Sequence, residues 1–307
     1  MKSLKRPHVG FTAFARGLST NNLGGNAILT DAWLDYLRRL VAVGADHVQF
    51  LAPESVADAV KLGAIAKDAG VSEVSVLYCT FGPVCPCADA NAAFQKFTEV
   101  FDVAKALMET FTGMATKRIF SPSFLRGLMD ADRGLASPDD AAKQTKFLVR
   151  LLEYLKKDNR GESFELVLEP LNRFEMRGPN TVAETVEIIK EAHAAQRMTV
   201  GVDSFHSFME CGGNIARMWA EFASHIGMIH ASALNRGHFY DDAVWMEPLF
   251  RDIGRNKAFN NVPIVVEAFC GETDPAFLPV LGIHDVSSCS AAEMAAGNLS
   301  CLRSWLG

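Results

Sequence analysis

Short apolar runs alternate with longer amphipathic stretches from one end of the chain to the other. The runs predict strands at His8–Ala13, Asp46–Leu51, Val74–Thr80, Lys117–Ser121, Phe164–Glu169, Thr199–Asp203, Gly227–His230 and Pro263–Glu267. Apolar residues at helical spacing predict helices near Ala32–Val43, Val56–Ala69, Ala92–Thr110, Asp139–Lys157, Val182–Ala195, Asn214–Ala223, Pro248–Lys257 and Ala291–Trp305. Start signals accompany several of them: Thr30 with Asp31, Ser137-Pro138-Asp139, and Asn180 or Thr181. The fourth helix gathers Phe147, Leu148, Leu151, Leu152 and Leu155 on one face. Leu166–Leu168 and Ile264–Val266 are apolar without interruption, which fits parallel strands buried on both sides.

Eight strand–helix units joined with right-handed crossovers either close into a barrel or spread into a doubly wound open sheet. No Gly-x-Gly-x-x-Gly follows the first strand, so the dinucleotide-binding version of the open sheet is disfavoured. No linker rich in Pro, Gly or Ser divides the chain. Residues 1–307 therefore read as a single α/β domain, a (β/α)8 barrel, for which 307 residues is an ordinary length.

Composition narrows the function classes. A hydrophobic fraction of 49% supplies a large core, and a net charge of −6 with no basic stripe argues against a nucleic-acid partner. No run approaches the roughly 20 apolar residues of a membrane span. The basic segment Met1–Pro7 is not followed by an apolar run, so no signal peptide is expected. Seven scattered cysteines suit reduced thiols better than a disulfide framework, and the expected compartment is the cytoplasm.

The chemistry concentrates at the ends of strands five to eight. Glu169 ends Phe-Glu-Leu-Val-Leu-Glu, Asp203 ends Met-Thr-Val-Gly-Val-Asp, His230 ends Ile-Gly-Met-Ile-His and Glu267 ends Pro-Ile-Val-Val-Glu. Separations of 34, 27 and 37 residues each match one barrel unit of about 31 residues. All four should therefore reach the C-terminal mouth. Three carboxylates and an imidazole converging there need a compensating cation, since desolvation and mutual repulsion would otherwise protonate them. Oxygen-rich ligation with one imidazole suits a single divalent ion, Mn2+ first and Mg2+ or Co2+ next, better than a structural zinc.

In the segments Glu169-Pro-Leu-Asn-Arg-Phe-Glu175, Asp203-Ser-Phe-His206, His230-Ala-Ser-x-x-Asn-Arg236 and Glu267-Ala-Phe269 the chain resembles the ketose 3-epimerases. These are the D-tagatose and D-psicose (allulose) epimerases of the xylose-isomerase-like superfamily. The resemblance is specific over about residues 164–270 and architectural before that. It implies that Glu169, Asp203, His230 and Glu267 bind the metal. It further implies that Glu175, His206 and Arg236 contact a sugar near its carbonyl end, and that the chain assembles into dimers or tetramers. Inversion at carbon 3 removes a proton beside the carbonyl and returns one to the other face of an enediolate, with a metal acting as Lewis acid. Glu169 and Glu267, three steps apart around the ring, are the candidate acid–base pair. His206, at the start of the loop after strand six, and Arg236 are candidate oxyanion donors. Phe269 is a candidate pocket wall.

Two departures bear on substrate. The chain continues after Arg236 as Gly-His-Phe-Tyr-Asp-Asp where the family usually has a Pro-Gly turn, and Phe120-Ser-Pro-Ser-Phe124 lacks the expected tryptophan or Gly-Pro pattern. A phosphorylated sugar therefore stays open, with Cys211-Gly-Gly-Asn214 as a candidate phosphate nest more readily read as a turn. Cys85-Pro-Cys87 reads as incidental, and His8, His47, His193, His225 and His284 as packing residues. His238 and Trp245 are weaker candidates for substrate or subunit contact. Alternatives on the same barrel are an aldose–ketose or hydroxypyruvate isomerase, an inosose-type enzyme, a non-catalytic sugar-binding barrel, and a metal-dependent hydrolase of the apurinic-endonuclease type. The last needs more strand-end histidines and a basic groove, which this sequence lacks.

Overall fold

The computed structural model describes residues 9–13, 23, 27–79, 86–111, 118–123, 138–157, 164–176, 178–271 and 288–307. Eight parallel strands close in sequence order: β1 (Val9–Ala13), β2 (His47–Leu51), β3 (Glu73–Cys79), β4 (Arg118–Ser123), β5 (Phe164–Leu168), β6 (Met198–Asp203), β7 (Ile226–Ala231) and β8 (Ile264–Val266). Closure is the pairing of β8 with β1, Val265 opposite Gly10. Helices α1 (Ala27–Ala42), α2 (Val56–Asp68), α3 (Ala90–Glu109), α4 (Pro138–Lys156), α5 (Val182–Glu191), α6 (Ser204–Cys211), α7 (Ile215–Glu221), α8 (Ala243–Arg255) and α9 (Ala291–Leu306) lie between and after the strands. The (β/α)8 architecture expected from the alternation is the one observed.

Local chemistry sets the helix boundaries. Thr181 and Glu184 form a reciprocal capping box at α5, as do Ser290 and Glu293 at α9. Several boundaries differ from expectation, among them the end of α5 at Glu191 instead of Ala195, and three have a local cause. Helix α1 begins ahead of Thr30, whose hydroxyl donates back to Leu23 O at 3.0 Å inside the first turn instead of capping it. Helix α6 replaces the loop expected after β6, because the Asp203 carboxylate accepts from Phe205 N at 2.6 Å and opens a helix at once. Helix α8 starts at Ala243 and carries Pro248 within it, so that proline marks no helix start. His8, Thr80, Cys85, Lys117, Phe124, Ser137, Arg177 and His284 lie outside the described residues.

Alternate strand residues serve two cores. Val9, Phe11, Val48 and Phe50 pack outward under the helices with Trp33, Leu37 and Leu40. Inside the barrel Val167, Met228 and Val265 form a separate apolar layer. Beneath it the floor is polar and paired: His47 Nε2 meets Ser75 Oγ at 2.7 Å, and Thr199 Oγ1 donates to Glu165 Oε1 at 2.5 Å.

Strand β7 carries one extra residue against β6, with Val200 opposite Ile226 and Gly201 opposite Met228. Gly227 fills the bulge, and a Cβ there would overlap both Thr199 Oγ1 and Glu165 Oε1. Gly227→Ala should therefore lower stability by about 1–3 kcal/mol in thermal or urea unfolding. Adding Thr199→Ala, which opens space, should recover part of the loss; full tolerance of the single change would show that the floor is loose.

Candidate metal centre

Glu169 stands one residue beyond β5, Asp203 ends β6, His230 is the penultimate residue of β7, and Glu267 stands one residue beyond β8. Asp203 and His230 are register partners across the two strands. The barrel thus brings all four side chains to one end, buried, with one donor atom of each lying within 4.8 Å of all the others. His230 Nδ1 is 3.0 Å from Glu169 Oε1 and 3.4 Å from Glu267 Oε2.

The opposite ring nitrogen, His230 Nε2, lies 3.0 Å from Gln49 Oε1. That amide is held by Thr12, whose hydroxyl donates to Oε1 at 3.2 Å, and by its own Nε2 lying 3.6 Å from Met228 Sδ. Nε2 of His230 must then be the donor, which turns the Nδ1 lone pair toward the two glutamates. An unprotonated nitrogen between carboxylates is a place for one positive charge. The donor set fits a divalent ion: a 4.8 Å spread is close to twice a typical metal–oxygen distance of about 2.1–2.2 Å, and the imidazole has the second hydrogen bond that metal-bound histidines use.

Beside this group lies a second network. Arg236 Nη1 donates to Asp203 Oδ2 at 2.8 Å, Ser232 Oγ at 2.9 Å and Glu267 Oε2 at 3.3 Å. Its guanidinium carbon sits 4.2 Å from the Phe205 ring centroid and 5.7 Å from that of Phe269. The backbone of Arg236 is left-handed, with φ of 57°, held by Arg236 N donating to Ala233 O and Phe269 N donating to Arg236 O at 2.7 Å. His206 Nε2 is 3.2 Å from Arg236 Nη2, and Asn172 links His206 Nδ1 at 2.8 Å to Glu175 Oε1 at 2.9 Å. Glu175 is not paired with Arg173, which bonds Glu210 at 2.6 Å instead.

The model of the family described as "Xylose isomerase-like TIM barrel" matches residues 37–300. The chain belongs to this xylose isomerase-like family. No curated protein sequence matches it. Among solved structures it is similar to D-allulose 3-epimerase from Methylomonas sp. in complex with D-allulose, with a TM-score of 0.77, 18% identity, and 98% of this chain and 97% of that one covered. L-ribulose 3-epimerase gives 0.77 at 17% identity, over 97% and 95% of the two chains. An AP endonuclease of family 2 from Brucella melitensis is less similar, 0.55 at 14% identity, over 85% and 93%.

Electrostatics within this xylose isomerase-like barrel separate the polar groups. Burial works against a charge on His230, yet Glu169, Glu267 and Asp203 together push its pKa up to about 9. The same surroundings attract any cation. Burial drives His206 down to about 3, beyond what the Asp203 charge can offset, so its imidazole is neutral. Burial raises the Glu175 carboxyl from 4.5 to about 7 against the pull of Arg236, and its Oε2 has no hydrogen-bond partner among the described residues. Arg236 is held charged, its burial outweighed by Asp203, Glu267, Glu175 and Glu169.

Of the remaining candidates only Phe269 borders this group. Phe269 is 1% exposed and packs under the Arg236 guanidinium. His238 stacks on Tyr240, and Trp245 packs on Phe208. His47 belongs to the barrel floor. Gly212–Asn214 form a short 3-10 turn before a seven-residue helix, in keeping with a simple turn. Cys87 Sγ lies 3.8 Å from Asp140 O. Sequence reasoning missed Thr12, Gln49, Asn172 and Ser232. The signal for Gln49 was a polar residue at the centre of the apolar strand His47–Leu51.

Titration with Mn2+ followed by calorimetry should show one site, and Gln49→Ala should weaken it about 10- to 100-fold by freeing the His230 ring. Unaltered affinity would remove the amide from the support of the site. Glu175 also couples stability to pH. Below about 4.5 its carboxyl is neutral whether folded or unfolded; between 4.5 and about 7 only the unfolded chain ionises, so stability falls as pH rises. Glu175→Gln should abolish this component, on the order of 3 kcal/mol by pH 8, seen as a flatter dependence of Tm on pH than in the parent.

Proposed function

We propose that the protein is a divalent-metal-dependent isomerase, an epimerase that inverts carbon 3 of a ketose. The reading is carried by the two buried carboxylates, Glu169 and Glu267, that approach the same imidazole nitrogen of His230 within 3.4 Å at the barrel mouth. Inversion at a C–H centre needs two acid–base groups within reach of one small molecule, and this pair supplies them. The similarity to 3-epimerases of D-allulose and L-ribulose supports a free ketose as the substrate class.

Glu169, Asp203, His230 and Glu267 would hold the ion, for which the oxygen-rich set favours Mn2+, Mg2+ or Co2+. When bound, the ion supplies Lewis-acid polarisation of the sugar carbonyl. One glutamate accepts the proton from carbon 3 while the other, already protonated, delivers one to the opposite face. Arg236 and His206 face the oxygen on which negative charge develops. Phe205 and Phe269 fix the guanidinium so that little reorganisation accompanies the reaction. After each turnover the two glutamates have exchanged protonation states, and they reset by exchange with solvent.

That reset fixes the experiment. In deuterated water, with Mn2+ and a panel of free ketoses, the product should gain one deuterium at carbon 3. Glu169→Gln and Glu267→Gln should each reduce turnover at least about 100-fold. Exchange confined to carbon 1 would convert the reading to an aldose–ketose isomerase, and no exchange with any ketose would end it.

A further inference from the structure

We propose that Asn172 is a positioning residue that fixes the ring proton of His206 on Nε2, so that His206 offers a donor to the substrate. The identity of the substrate rests on the epimerase reading; the hydrogen-bond geometry does not.

His206 Nδ1 faces two donors from one residue, the backbone N–H of Asn172 at 3.3 Å and its Nδ2 at 2.8 Å. A backbone N–H can only donate, so Nδ1 must accept. The amide orientation is equally determined. Phe174 N donates to Asn172 Oδ1 at 3.0 Å, and Asn172 Nδ2 donates to Glu175 Oε1 at 2.9 Å. Turning the amide over would set Nδ2 against the N–H of Phe174. Every polar atom of the Asn172 side chain is thus used, and none is exposed, since the residue is 1% accessible.

With Nδ1 accepting, the single proton of the neutral ring lies on Nε2. There it faces Nη2 of Arg236 at 3.2 Å, a nitrogen with no lone pair to offer. Two donors therefore point into one space. They are satisfied together by an acceptor oxygen within reach of both, which in a ketose is the oxygen that gains negative charge as the α-proton leaves. The other tautomer would present a lone pair on Nε2 to Arg236. That arrangement is self-satisfied, and it removes one donor from the substrate. Asn172 prevents it.

Ring 15N NMR on the histidine-labelled full chain, loaded with diamagnetic Mg2+, tests the assignment. His206 signals are identified by their loss in His206→Gln. In the parent protein Nδ1 should show the shift of a bare ring nitrogen and Nε2 that of a protonated one. In Asn172→Asp the carboxylate offers Nδ1 an acceptor and the proton should move there, while in Asn172→Ala the backbone N–H still donates to Nδ1 and the proton should stay on Nε2. In Asn172→Asp exchange at carbon 3 of the ketose should fall about 10- to 100-fold in kcat with little change in KM, while Mn2+ affinity is kept. A parent ring protonated on Nδ1, or a tautomer unmoved in Asn172→Asp, overturns the proposal. If the variants do not fold, the parent spectrum still decides. Should the parent show the Nε2 proton but exchange no ketose hydrogen, the epimerase reading fails and the role of Asn172 stands.

Discussion

The site depends on negative charge gathered where water is scarce. Glu169, Asp203 and Glu267 are brought together at the end of a closed barrel, none more than 7% exposed. Carboxylates crowded away from water need positive partners beside them. Arg236 supplies part of it, through Nη1 placed between Asp203 and Glu267. The rest falls to the space in front of His230 Nδ1. The left-handed backbone of Arg236 and the aromatic rings around its guanidinium fit the same account, because an arginine that relaxed outward would leave the acids uncompensated.

The two ends of the barrel interior treat polarity differently. On the floor, polar groups are paired within the protein, His47 with Ser75 and Thr199 with Glu165. Such pairs take up polar atoms within the protein, although His47 Nδ1, 3.5 Å from Glu73 Oε2, has no hydrogen bond among the described residues. At the mouth, donors face donors and carboxylates face one imidazole nitrogen. The layer of Val167, Met228 and Val265 separates the two regimes. Stability and chemistry are thereby assigned to opposite ends of one sheet.

Much of this arrangement was legible in the sequence. Apolar runs with polar final residues identified strands five to eight and the four side chains that meet there, because a strand end at the mouth is a property of one segment read in isolation. Glu175, His206 and Arg236 also fall together as their motifs implied. What escaped were relations between distant segments. Gln49 reaches His230 from 181 residues away, and nothing around either residue encodes the distance. Asn172 lay inside a quoted motif, yet its role emerges only when the backbone turn sets its amide against His206, 34 residues on. Helix α6 was missed for a different reason. Its signal, an aspartate able to cap, was present but had been read only as a candidate metal ligand; Asp203 caps through Oδ1, which accepts from Phe205 N, and keeps Oδ2 toward Arg236.

The bulge at Gly227 determines which way the upper half of β7 looks. Gly227 and Met228 both face the interior, so the alternation restarts there and delivers His230 inward and Ile229 outward. Because side chains alternate with a period of two, the same sequence paired without a bulge, Gly227 in and Met228 out, would turn the imidazole toward the helices and put Ile229 in its place. The ligand set of such a cylinder is therefore governed by residue count as much as by residue type. An extra residue in such a strand keeps the ligand facing inward only where a bulge absorbs it, and here a residue without a side chain is what fits the bulge against Thr199 and Glu165.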